Sequence, residues 1–100
     1  MSNYGWIITR DIFAEQDPGE PNNVGTLGPS SIPEVRAIKL RGGMGDHWRC
    51  KDAEGWILYE GRYIGPQDES MFGPLDDFCK PNVGCILIEY KDDAGRWQQL

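Results

Sequence analysis

The chain is 100 residues long, 39% apolar and 26% charged, and its 16 acidic and 10 basic residues leave a net charge of −6. That length is one domain, able to bury a core without disulfide or metal, and the composition excludes a disordered chain. The negative balance steers the protein from nucleic acid toward basic partners, and no apolar stretch approaches the roughly 18 residues of a membrane span.

In chain order, "YGWIITR" (4–10) alternates Tyr4, Trp6 and Ile8 on one side and predicts a strand. A long polar segment with three prolines follows to about residue 30; so long a loop in so small a domain is more often functional or flexible than inert. "SIPEVRAIKLRGG" (31–43) predicts a helix: Ser31 and Glu34 form a capping box, Pro33 sits in the first turn, and Gly42-Gly43 ends it. Ile32, Val35 and Ile38 mark its packed face, while Arg36, Lys39 and Arg41 point outward.

Two similar turns come next, "CKDAEGW" (50–56) and "YKDDAGRW" (90–97), each with Asp opening a type I turn and a left-handed Gly closing it. They predict strands at 46–52 with 56–64 and at 83–91 with 95–99. The second hairpin's "VGCILIEY" reads as a central strand covered on both faces, and Trp48, Trp56 and Trp97 as cross-strand partners. Residues 65–78 read as loop plus a helical turn, with Phe72, Leu75 and Phe78 beneath it. The expected fold is α+β: a mostly antiparallel five-stranded sheet, two hairpins plus the N-terminal strand, with one helix packed on a face.

Three cysteines cannot all pair within one chain. With no basic stretch ahead of a long apolar run at the N-terminus, they point to free thiols and a cytoplasmic protein. His47-x2-Cys50 and Cys79-x5-Cys85 offer four zinc ligands. The x5 spacing is loose, however, and Cys50 and Cys85 fall in strands where a thiol packs as a small hydrophobe. Buried thiols are the preferred reading, a zinc- or thiol-dependent domain the alternative.

His47 is the only histidine, and no nucleophile elbow accompanies it. "RGGMGD" (41–46) follows a helix and lacks the lysine of a phosphate loop. The basic helix face is a weak footprint for nucleic acid. No catalytic set and no cofactor is expected.

The carboxylates lie in base-free runs: Asp11, Glu15, Asp17 and Glu20 in one, Asp68, Glu69, Asp76 and Asp77 in the other. Between them residues 34–51 form a basic band. Loops presenting such clusters can imitate a row of phosphates, and Met71 and Phe72 would supply apolar anchors among the charges.

The strings "NNVGTLGP" (22–29), "YEGR" (59–62), "PLDDF" (74–78), "GC" (84–85) and "IEY" (88–90) resemble small uncharacterised bacterial and mobile-element proteins. In size, acidity and lack of a catalytic set the chain is similar in kind to phage-encoded inhibitors such as anti-CRISPR proteins. That resemblance implies a non-enzymatic interaction module that occupies a basic, nucleic-acid-binding surface of a partner without contacting nucleic acid itself.

Overall fold

A computed structural model describes residues 3–100. The strands are β1 (Gly5–Asp11), β2 (Leu27–Gly28), β3 (Asp46–Lys51), β4 (Ile57–Ile64), β5 (Leu87–Lys91) and β6 (Trp97–Gln99). They form one antiparallel sheet in the order β2-β1-β4-β3-β5-β6. The sheet therefore has six strands, not five. The addition is β2, two residues inside the predicted loop, and pairing of Trp6 with Gly28 recruits it. Trp6 lies across Gly28 where a Cβ would stand, a close approach only glycine permits.

Pleating gives the sheet two unlike faces. One carries Trp6, Ile8, Trp48, Cys50, Tyr59, Tyr63, Ile88 and Tyr90, all buried in the main core. The segment after β4 closes that core with a 3₁₀ turn (Glu69–Phe72), a π-helical turn (Leu75–Cys79) and α3 (Lys80–Val83). Leu75 and Cys79 are buried there, and Phe72 and Phe78 pack against the cluster as expected. Each large side chain buried this way is worth about 1.5–3 kcal/mol, so the face, not any single bond, holds the fold.

Helix α2 (Glu34–Arg41) packs on the other face over β1 and β4. A Cβ at Gly5 would strike Ile32 and Arg36, which shows how closely this segment approaches. Its boundaries and buried face differ from expectation. Pro33 keeps an extended ψ of 143°, so the helix starts at Glu34 and Pro33, not Ser31, holds the N-cap position. Helical phase then buries Ala37 and Leu40 and leaves Val35 and Ile38 exposed. Arg36 is half-buried against β1, while Lys39 and Arg41 are exposed. The C-terminal prediction holds: Gly43 has φ +89° and donates to the Leu40 carbonyl, and Met44 donates to that of Lys39.

The two hairpin turns match each other in detail. Asp52 Oδ1 accepts from the Glu54 and Trp56 amides, Asp92 Oδ1 from those of Ala94 and Arg96, and Gly55 and Gly95 have φ of +86° and +82°. The second hairpin is shorter than expected, because residues 80–83 are helical and β5 begins at Leu87. Nor is β5 covered on both faces: Ile88 and Tyr90 enter the core, while Glu89 and Lys91 lie on the opposite side. The tryptophans do not stack together. Trp48 is in the core, Trp97 is on the opposite face, and Trp56 is 60% exposed at the turn. Among the described residues, no helix is long and apolar enough to cross a membrane.

Candidate functional site

The alternating charge runs of the sequence fold onto two sides of the sheet. His47, Arg49 and Lys51 of β3, Glu60 and Arg62 of β4, and Glu89 and Lys91 of β5 share the α2 face by pleat and register. Arg10 joins them through Glu60, 3.6 Å away. With α2 included, this side holds Arg10, Arg36, Lys39, Arg41, Arg49, Lys51, Arg62 and Lys91, eight of the chain's ten Lys and Arg residues.

Where α2 leaves the sheet uncovered, these charges are interlocked. Arg49 Nε donates to Glu89 Oε1 at 2.6 Å, and Lys51 Nζ reaches the same oxygen at 3.2 Å. Burial pushes the Glu89 carboxyl up, but the hydrogen bonds and charges of Arg49 and Lys51 outweigh it and hold the group below the usual carboxylate range. Arg49 also lies over the Trp97 ring, 4.1 Å from its centroid, and His47 meets that ring edge-on at 4.9 Å. His47 Nε2 is 2.9 Å from Glu60.

The acidic residues of 65–78 lie on the core side. Asp68, Glu69, Asp76 and Asp77 are all exposed, and Asp46 is exposed beside them, bonded to Gln67. Asp76 and Asp77 lie by Tyr4, and Asp68 and Asp46 by Tyr63, two stacked rings whose centroids are 6.2 Å apart. Asp77 accepts from the Tyr4 hydroxyl at 2.7 Å and Trp6 Nε1 at 3.0 Å. Burial, reinforced by the charges of Asp68 and Asp46, pushes the Tyr63 phenol up to about 12; burial and the bond to Asp77 likewise raise Tyr4. Asp68 caps the 3₁₀ turn through the Ser70 amide, and Asp76 makes only a 3.8 Å pair with Lys80, both side chains 59% exposed. So solvated a pair holds neither group firmly.

The earlier acidic run divides. Asp17 and Glu20 are exposed on the loop after α1 (Ile12–Gln16). Asp11 is 1% exposed and cannot meet a partner: it caps α1 through the Ala14 amide and binds both the amide and side chain of Asn23. Glu15 is turned to the basic side, paired with Arg10 at 3.0 Å. Met71 and Phe72 are half-buried against the core, not projecting anchors.

A groove separates the first acidic loop from α3. One lobe, about 350 Å³, is lined by Phe13, Glu20, Asn23, Tyr59, Asn82 and Val83, with Pro21 at its edge. A second of about 370 Å³ lies toward the β3–β4 turn, between Phe13, Gln16, Asp52, Trp56, Leu58 and Val83. The sequence did not single out Phe13 or Val83, and it read Trp56 as a cross-strand partner of Trp48 and Trp97, not as a groove residue. The nearest signal for Trp56 was its place just after a Gly turn, where a large apolar residue has no strand neighbour to cover it.

The four proposed zinc ligands do not converge. His47 is an odd number of residues from Cys50 on one strand, so the pleat puts it on the opposite face. The three cysteines do meet, fully buried and free in the core, with thiols hydrogen-bonded to one another. Burial pushes Cys50 and Cys79 up, while hydrogen bonds from both pull Cys85 down. Among the described residues, no group of three or more His, Cys, Asp or Glu side chains is arranged to hold a metal ion.

Compared with known proteins, the chain matches no family model, no curated protein and no solved structure.

Proposed function

We propose that the protein is a non-enzymatic interaction module that docks its acidic side on a basic, nucleic-acid-binding surface of a protein partner, in the manner of phage-encoded inhibitors. The supporting observation is the separation of charge by the sheet. Asp68, Glu69, Asp76 and Asp77 stand together on the core side, and Glu20 lines a groove with Asn82 and Val83 of α3, which continues from the same segment. Eight of the ten Lys and Arg residues lie on the α2 side of the sheet. Of the first acidic run, Asp17 and Glu20 remain exposed, and Glu20 joins this side through the groove beside α3.

Such a field speeds encounter with a basic partner and is screened by salt, with a Debye length of about 8 Å at physiological ionic strength. The Tyr4–Asp77–Trp6 bonds fix one carboxylate in place, so less freedom is lost on docking.

The test is capture from a native-host lysate on immobilised protein, washed at low and high salt, with duplex DNA added to the low-salt column. A nucleic-acid-binding protein released by both salt and DNA is expected. An empty column, or a partner retained against both, would refute the reading.

A further inference from the structure

The groove has a chemistry the exposed carboxylates lack. Its first lobe is walled by the Phe13 ring and floored by Tyr59, itself 1% exposed. Two amide side chains line it, and each spends at least one N–H on the protein. Asn82 Nδ2 donates to the Phe78 carbonyl at 2.8 Å, and Asn23 Nδ2 to Asp11 and, more weakly, to the Pro21 carbonyl. The Glu20 side chain is exposed at the lobe, and Tyr59 bonds the Asn23 side chain within it. The lobe therefore offers acceptors, a negative charge and aromatic surface. No Lys, Arg or His lines either lobe.

That combination selects one chemistry. A guanidinium or ammonium carries several donors and no acceptor, is drawn to a carboxylate, and is attracted to an aromatic face. An anion would meet the Glu20 charge and no Lys, Arg or His to offset it. The second lobe continues the groove past Phe13 and Val83 and changes character. Trp56 and Leu58 line it, and Asp52 is already occupied by the Glu54 and Trp56 amides. Those bonds fix the backbone beneath the exposed indole, so Trp56 is presented from a rigid turn. Each lobe is in the range of about 300–1,000 Å³ usual for ligand sites.

We infer that the groove receives a basic side chain of a protein partner, lysine or arginine, in the lobe of Glu20, Asn23 and Asn82, with a neighbouring apolar side chain against Trp56 and Leu58. This rests on the reading that the partner is basic, but it uses residues separate from Asp68, Glu69, Asp76 and Asp77.

The experiment titrates the isotope-labelled protein with N-acetylated, C-amidated Arg-Leu while following the side-chain amides of Asn23 and Asn82 and the Trp56 indole by NMR. Two further probes are the same peptide with norleucine in place of arginine, and methylguanidine alone. Saturable shifts at all three reporters are expected with Arg-Leu. Glu20→Gln, an exposed position without a protein partner, should weaken them about fivefold, the scale of one partly solvated ion pair. The norleucine peptide should bind more weakly still, and methylguanidine should move the asparagines but not the indole. A variant carrying Asp68→Asn, Glu69→Gln and Asp76→Asn should bind Arg-Leu unchanged, so its loss of partner capture and a failure here report on different claims. No shifts, equal shifts with norleucine, indifference to Glu20→Gln, or methylguanidine binding as tightly as Arg-Leu would each overturn the inference.

Discussion

Replacing Asp11 with alanine should remove the tie that shapes the groove's loop wall. This buried carboxylate has three N–H donors: the Ala14 amide at 2.9 Å, the Asn23 amide at 3.0 Å and Asn23 Nδ2 at 3.1 Å. The first is an N-cap bond whose loss costs about 1 kcal/mol. The other two are charge-assisted, about 1.5 kcal/mol each. Alanine recovers part of the carboxylate's desolvation cost, which brings the sum from about 4 down to about 3 kcal/mol. In a domain of this size that lowers Tm by about 12–24 °C. Asp11→Asn keeps a capping oxygen but turns an NH₂ toward the Asn23 donors, so it should recover only about 1 kcal/mol. Urea unfolding with linear extrapolation and thermal melts give both values. A loss under about 1 kcal/mol for Asp11→Ala, or wild-type stability for Asp11→Asn, would refute the assignment of Asp11 as the organiser of this loop.

Three more expectations follow from the packing. Gly61→Ala would place a Cβ against the Ile7 carbonyl and the Trp48 ring; backbone cannot yield as a side-chain tip can, so a loss of about 3 kcal/mol is expected from chemical denaturation. Glu89 has a depressed folded-state pKa, so its contribution is present above the unfolded value of about 4.3 and lost as pH falls through the folded one. Glu89→Gln should therefore lower stability at pH 7 and flatten the decline below about pH 4, as read by unfolding at several pH values. The three thiols should resist an aromatic disulfide reagent in the native protein and all react in denaturant; rapid native labelling would contradict their burial.

The residues differ in how much they disclosed before folding. Turn chemistry was local and therefore legible: Asp52, Gly55, Asp92 and Gly95 form the bonds their spacing implies. Strand β2 was not legible, because two residues have no period and Leu27-Gly28 is a strand only by pairing with β1. Helix α2 was recognised, but its buried face was displaced. Pro33 delayed its start, and eight residues are too few for an apolar stripe to outvote the chain's entry angle. The acidic runs were visible as charge, but their use depends on three-dimensional partners. Asp11 and Glu15 look alike in sequence, yet one is buried under Asn23 and the other is paired with Arg10. The groove was invisible, since it joins residues as far apart as Phe13 and Val83.

The most direct test of the charge separation compares partner capture by three proteins: the wild type, the Asp68→Asn/Glu69→Gln/Asp76→Asn variant, and a Lys39→Gln/Arg41→Gln variant on the opposite side. The acidic-side variant should lose the salt-sensitive partner and the basic-side variant should retain it. Retention by the first and loss by the second would place the docking surface on the other face and contradict the proposed function.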